Sequence, residues 1–264
     1  MSTIDSNAAD DVTTSTAAAL DGQTLDGIEI RTLHRADEMV QLAEVFSQVW
    51  GSATALMSIE ILMAVSHSGG YVSAAYETGA GEERMLGASV GILARHLDGP
   101  ALHSHITGLL PGARRSGLGR AMKLHQRSWA ARHDIDWITW TYDPLVRRNA
   151  WFNLGVLHAE VHEYLPSFYG TMSDSINAGG SSDRLLVAWP VNAPDTEPVV
   201  DAPDTTGRLL IPTPEDIVHL RRTDPVAVAE WAARTCAPLQ AAIERGDRVV
   251  GFTTTGEYVV EETS

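Results

Sequence analysis

The sequence predicts an α/β (α+β) fold: a mixed central sheet flanked by helices, with a smaller α/β extension at the C-terminal end. Three observations carry this reading. Between residues 28 and 190, short β-patterned runs are interspersed with segments whose apolar residues recur at helical spacing. One apolar run, Ile106 to Leu110, passes through a Gly- and Arg-containing turn directly into an amphipathic helix. A Pro- and Asp-rich stretch, Pro190 to Thr206, then separates this region from a second set of strand and helix signals.

The elements follow in order. Met1 to Asp26 is rich in Ser, Thr, Ala and Asp and lacks Lys and Arg, the composition of a disordered tail and not of a secretory signal or transit peptide. Ile28 to Leu33 reads as a strand. Asp37 to Val49 reads as a helix with Met39, Val40, Ala43, Val45 and Phe46 as its apolar positions. Ser58 caps a second helix through Val65, which Gly69-Gly70 ends. Tyr71 to Tyr76, Met85 to Ala94 and Leu102 to Leu110 read as strands, with turns at Thr78 to Glu83 and at Asp98-Gly99-Pro100. In the helix after the loop, Leu118, Ala121, Met122, His125 and Trp129 form an apolar face, and Arg120, Lys123, Arg127 and Arg132 fall mostly elsewhere. Asp136 to Thr141 is a short strand, Arg148 to His158 a helix, and Glu160 to Tyr164 and Leu185 to Trp189 are strands. In the extension, Arg208 to Ile211 is a strand. Pro214 to Leu220 reads as a helix opened by Thr213 with Pro214 at its first position. Asp224-Pro225 opens a helix to Glu244, and Arg248 to Thr253 and Tyr258 to Val260 form a hairpin around Gly256.

Composition excludes several classes of function. The 264 residues carry a formal net charge of -15, which argues against nucleic acid, because that partner demands a basic footprint. No apolar run is long enough to span a bilayer, so no membrane partner is expected. The single Cys236 leaves no internal disulfide and suits the cytoplasm, and no His/Cys cluster has metal-ligand spacing. A homodimer is left open.

The stretch Pro111-Gly112-Ala113-Arg114-Arg115-Ser116-Gly117-Leu118-Gly119-Arg120-Ala121-Met122-Lys123 is the most informative. A strand, a tight Gly- and Arg-containing turn and a helix make a site for a phosphate: backbone N–H groups and the positive end of the helix point at the anion. Gly112 and Gly117 have the spacing of a Walker loop, but Leu118-Gly119 follow where Lys and Ser or Thr are needed. Gly117 and Gly119 fit a dinucleotide fingerprint until Met122, too bulky for the third small position. Arg114, Gly117 and Gly119 match the acyl-CoA loop Arg/Gln-x-x-Gly-x-Gly/Ala in full.

On these residues the chain resembles the GNAT superfamily of CoA-dependent N-acyltransferases, and the element order over roughly residues 28 to 190 is similar to that of the family. Leu102 to Tyr169, with its His-x-His strand and Arg-Arg-Asn-Ala helix start, also resembles a branch of the family in which some members accompany N-acylamino acid racemases. The resemblance implies a tail (1–27), a GNAT domain (28–190), a linker (191–207) and an extension (208–264) that packs on the core or completes the acceptor site. It implies acetyl-CoA or another acyl-CoA as cosubstrate, no metal, and a small-molecule amine, such as an amino acid, as acceptor. The pantetheine arm would lie on backbone groups of Leu109 and Leu110. The pyrophosphate would be held by Arg114, Arg115, Ser116, Gly117, Leu118, Gly119 and Arg120, and Asn149 would contact the pantetheine.

Three groups are candidates for the chemistry. His103 and His105 lie two apart on one strand and so share a face; an imidazole can deprotonate an amine at neutral pH. The family's Asn-x-x-Ala-x-x-x-Tyr helix starts at Asn149 but has Phe152 at the Ala position and Val156 at the Tyr position, so Asn153, His158, Tyr164 and Tyr169 stand as candidates in its place, the two tyrosines as proton donors. Arg147 is a candidate clamp for an acceptor carboxylate. Two other readings stay open: a CoA-binding module without chemistry, and a GNAT-fold enzyme of altered acyl-CoA chemistry such as decarboxylation.

Overall fold

The computed structural model describes residues 24–25, 27–79, 83–113, 117–170, 182–193 and 203–263. The chain divides into two compact units, the first through Asp136 and the second from Trp137.

The first unit is a five-stranded antiparallel sheet in chain order with helices on both faces: β1 (Thr24–Leu25), β2 (Ile28–Thr32), β3 (Tyr71–Glu77), β4 (Arg84–His96) and β5 (Gly99–Leu109). β1 falls within the stretch read as a tail. Gly27, at φ 79°, turns the chain so that Thr24 and Leu25 pair with Glu29 and Ile28; the rest of that stretch lies outside the described residues. On one face lie α1 (Ala36–Trp50) and α2 (Ile59–His67). α1 starts where the Glu38 carboxylate accepts from the Arg35 backbone N–H at 3.1 Å, and it stops at Gly51 in the left-handed region. Ser58 caps α2, as its sequence position predicts. Met39, Leu42, Val45 and Phe46 of α1 and Leu62 of α2 bury against Val72, Ala74, Tyr76, Met85, Ala88 and Val90. Each such side chain contributes about 1.5–3 kcal/mol on leaving water.

On the other face lies α3 (Leu118–Ala131), preceded by a single 3-10 turn, Pro111–Ala113. Leu118 and Met122 pack with Ile30, Ala75, Leu86 and Ala113. Covered on both faces, β4 is buried continuously from Met85 to Gly91, which is why its sequence is an apolar run rather than an alternation. The β4–β5 turn sits at Leu97 and Asp98, with Leu97 at φ 49°, one step earlier than the Asp98-Gly99-Pro100 signal suggested, and Gly99 and Pro100 already belong to β5.

The second unit holds two antiparallel sheets. β6 (Trp137–Tyr142), β8 (Arg184–Pro190) and β7 (Glu160–Leu165) pair in that order, and β10 (Arg248–Phe252), β11 (Glu257–Glu261) and β9 (Leu209–Pro212) form the other sheet. The hairpin around Gly256 forms as expected, with Gly256 at φ 98°. α5 (Ile217–Thr223) begins later than predicted: Asp216, not Thr213-Pro214, supplies the cap, accepting from the His219 N–H at 2.9 Å. Thr213 is instead spent on the Gly256 carbonyl. α6 (Pro225–Glu244) starts at Asp224-Pro225 as read from the sequence. The predicted helix at Arg148 to His158 has two parts. α4 (Arg147–Ala150) runs into a π-helical segment, Trp151–Val156, in which the Leu157 N–H reaches back to Phe152 O at 3.0 Å.

Candidate functional site

The first unit holds the loop and both histidines. Arg114, Arg115 and Ser116 lie outside the described residues. Gly117 is the N-cap of α3 at φ 73°, a backbone state that favours glycine, and no side chain caps the helix there. Leu118, Gly119 and Arg120 form its first turn, where the helix leaves its own N–H groups unsatisfied. The Leu118 side chain is fully buried, so only its backbone can face a ligand. Gly108, on the strand that feeds the loop, lies against the Trp50 ring: a Cβ there would come within 2.5 Å of it.

The expectation for Leu110 needs correction. Its N–H donates to Leu86 O and its carbonyl accepts from Ala113 N–H, both at 2.9 Å, so its backbone closes the end of the strand and is not available to a thioester. Leu109, the last residue of β5, pairs with Gly87.

The register of β5 against β4 slips by one residue. Ser104 stands opposite Gly91 and Ile106 opposite Val90, which leaves His105 as the extra residue of a β-bulge. Strict alternation across His103 and His105 therefore fails, and their two-residue spacing does not by itself put them on one face. The bulge leaves His105 solvent-accessible and His103 half-buried. Burial holds both imidazoles below their ordinary pKa, and the charges of His105 and Lys123 press further on His103. Both are thus neutral, and able to accept a proton, at neutral pH.

Lys123, read from sequence as lying away from the apolar face of the helix, is in fact buried beneath β5. Its Nζ donates to Ser104 Oγ at 2.9 Å and to Gln126 Oε1 at 3.0 Å. Gln126 Nε2 donates to Ser89 Oγ at 3.3 Å, and Ser89 and Thr107 share a hydrogen bond of 2.8 Å. Burial pulls the Lys123 pKa down from 10.5 to about 7. Beside this row the Tyr71 hydroxyl meets His125 Nδ1 at 2.8 Å, also buried. The one sequence signal for Lys123 was its singularity: every other Lys or Arg of the chain is arginine.

The other candidates belong to the second unit. Arg147 is not placed as a carboxylate clamp: its guanidinium donates to the hydroxyl and carbonyl of Thr213, tying α4 to the end of β9. The Tyr164 hydroxyl donates to Asp183 Oδ2 at 2.6 Å, and burial with that carboxylate pushes its pKa up, so its proton is already committed. Tyr169 is exposed, with its hydroxyl 3.4 Å from Thr141 Oγ1 and its ring under Arg184. Asn149 lies on α4, half-buried. Cys236 is buried, and its thiol is pushed up to about 12, so it is an inert core residue rather than a nucleophile. Among the described residues, no group of three or more His, Cys, Asp or Glu could hold a metal, and no helix is long and apolar enough to cross a membrane.

No protein-family model matches this sequence, and no curated protein matches it. Solved structures similar to it include the ribosomal-protein-S5-alanine acetyltransferase of Vibrio fischeri, 12% identical, covering 66% of this chain and 98% of that one, with a TM-score of 0.49. A Salmonella typhimurium protein solved with its cofactor acetyl-CoA is 16% identical over 64% of this chain and 98% of its own, at 0.48. The ribosomal-protein-S18-alanine N-acetyltransferase of Escherichia coli is 15% identical over 64% and 96%, at 0.47.

Proposed function

We propose that this protein is a CoA-dependent N-acyltransferase of the GNAT type, which moves an acetyl or similar acyl group from acyl-CoA to the amine of a small molecule, an amino acid among the candidates. The observation that carries the reading is the join of β5 to α3. A strand ends in a turn with Arg114, Gly117 and Gly119 in the acyl-CoA pattern, and a left-handed glycine opens a helix that has no side-chain cap. That geometry offers backbone N–H groups and a helix N-terminus to a pyrophosphate. The order of strands and helices around it is the one the family resemblance implies.

In this reading the donor lies with its pyrophosphate on residues 114–120 and its pantetheine toward Leu109. His103 or His105, neutral at neutral pH, takes the proton of the acceptor ammonium, directly or through water. The amine nitrogen then bonds to the thioester carbon, the C–S bond breaks and CoA leaves as its thiolate. That leaving group needs no dedicated acid, which accords with Val156 standing where the family has tyrosine and with Tyr164 being held by Asp183. The absent tyrosine also favours a second reading, a CoA-binding module without chemistry. Incubation with acetyl-CoA and a panel of amino acids and simple amines, read as thiol release, separates the two. Turnover that falls by about 10²–10⁴ when both histidines become asparagine supports general-base catalysis. Binding of CoA without thiol release for any amine refutes the enzyme.

A further inference from the structure

We propose that Lys123 is a positioning residue for the histidine pair: its amine, hydrogen-bonded to Ser104 between the two histidines, anchors that stretch of β5 and with it the place of His103. The inference rests on the acyltransferase reading for its purpose, but not for its physics.

Three observations support it. The first is the row of hydrogen bonds. Lys123, Gln126 and Ser89 join Ser104 to Thr107 through contacts of 2.9, 3.0, 3.3 and 2.8 Å, so the residue before His105 and the one two after it are tied together through α3 and β4. The second is position. Ser104, which accepts the hydrogen bond from Lys123, lies between the two histidines in sequence. Anything that moves Lys123 therefore pulls on the residue linking them. The third is electrostatic. A buried ammonium acts through a low local dielectric, so its charge disfavours an imidazolium at His103 far more than an exposed lysine would. Besides burial, His105 from its own strand and Lys123 from α3 both disfavour charge on His103. β4 presents Ile92 across the ladder, which carries no charge.

A methionine would fill the same stem without the cost of removing an ammonium from water, but it would take the donor away from Ser104 and Gln126. What the ammonium adds is a charge that appears as the pH falls toward neutrality and below. It keeps His103 neutral, and competent as a base, over the range where a free imidazole would begin to protonate.

The chain's only lysine makes the test clean. Protein labelled with ¹³C at the lysine ε-carbon gives one resonance, and its titration is followed beside the ring signals of ¹³C-histidine, His103 being identified by His103→Asn. The lysine signal is expected to titrate near neutrality. In Lys123→Met the His103 midpoint moves up toward the ordinary histidine value, and in Ser104→Ala, which frees the amine from the strand, it also shifts. An unchanged His103 midpoint in folded Lys123→Met overturns the proposal. If that variant does not fold, the wild-type protein decides: a His103 curve with no inflection at the lysine's midpoint overturns it equally. These titrations need no substrate. If thiol release fails for every amine, the acyltransferase reading falls while the coupling of Lys123 to His103 is still judged on its own.

Discussion

Gly117→Ala tests the loop at its most constrained point. Gly117 holds φ 73° at the head of α3, and a Cβ built there meets no atom within 4 Å. Steric overlap therefore contributes nothing to the cost, which comes from the backbone alone. An L-residue in the left-handed region costs roughly 1–2 kcal/mol. The loss of chain freedom in the unfolded state returns roughly 0.4–1 kcal/mol of that. The net loss of stability is about 1 kcal/mol, readable as a shift in urea midpoint at constant slope. The effect on CoA should be larger. The new methyl occupies open space at the mouth of the helix, where a pyrophosphate must approach the N–H groups. Forfeiting one hydrogen bond to a charged oxygen costs about 1.5–3 kcal/mol, so the Kd for CoA, measured by calorimetry, should rise roughly ten- to a hundredfold. Gly112→Ala is the internal control: it too meets nothing within 4 Å, but its φ is not positive. It should leave both stability and CoA affinity close to wild type. Equal CoA affinity in the two variants would refute the reasoning, because it would mean that nothing binds at the Gly117 end of the loop.

Three further outcomes follow from the same structure. Cys236→Ala should retain wild-type turnover, since direct transfer uses no thiol, and in the native protein Cys236 should resist alkylation at pH 8 until denaturant is added; an inactive but folded variant would point to an acyl-enzyme. Asp143→Asn should lower unfolding stability by about 3–5 kcal/mol, because it removes the charged partner of a buried ion pair in which Arg221, 4% exposed, lies 2.6 Å from the carboxylate; a loss within error of zero in urea titration would show the pair to be expendable. Lys123 binds a proton with a pKa near 7 in the folded chain and at 10.5 in the unfolded one, so the unfolded state holds more protons across that window. Stability therefore rises with pH from about 7 toward 10.5, by at most about 1.4 kcal/mol per pH unit. It is lost as pH falls back toward 7, and Lys123→Met should flatten this slope relative to wild type.

The elements that sequence made legible are those in which one face pattern decides the outcome. The helix signalled by Met39, Val45 and Phe46 and the helix starts at Ser58 and Asp224 each correspond to a single local cause, and each is found, although Val40, counted on the apolar face, is 41% exposed and Leu42, not counted, is fully buried. What escaped depends on partners distant in sequence. Lys123 belongs on a charged helix face by composition, and its burial is made tolerable by Ser104 of β5 and by Gln126, which Ser89 of β4 in turn satisfies. Arg147 stood as a candidate clamp for an acceptor carboxylate; its acceptors are the hydroxyl and carbonyl of Thr213, 66 residues away. The bulge at His105 is likewise invisible from β5 alone, because it exists only in the register with β4.

The segment after Asn149 shows how such an irregularity changes the value of a motif. In an α-helix, a residue seven positions on returns to nearly the same azimuth, so a side chain needed beside that of Asn149 belongs at Val156. Trp151–Val156 is π-helical, and one residue is thereby added to the turn. The place that the seven-residue spacing marks in a regular helix is then taken by the residue eight positions on, Leu157, which is 3% exposed and apolar. A tyrosine is therefore absent from both the position that the regular spacing gives and the position that the π turn gives. The departure from the family pattern is chemical rather than a misalignment of one residue. In the proposed transfer, any proton reaching the departing thiolate would then come from solvent or from a group outside this helix. Placing a phenol by Leu157→Tyr should consequently lower stability through overpacking, by about 1–3 kcal/mol, without raising turnover. A faster enzyme from that substitution would show that the helix had kept the family's geometry after all.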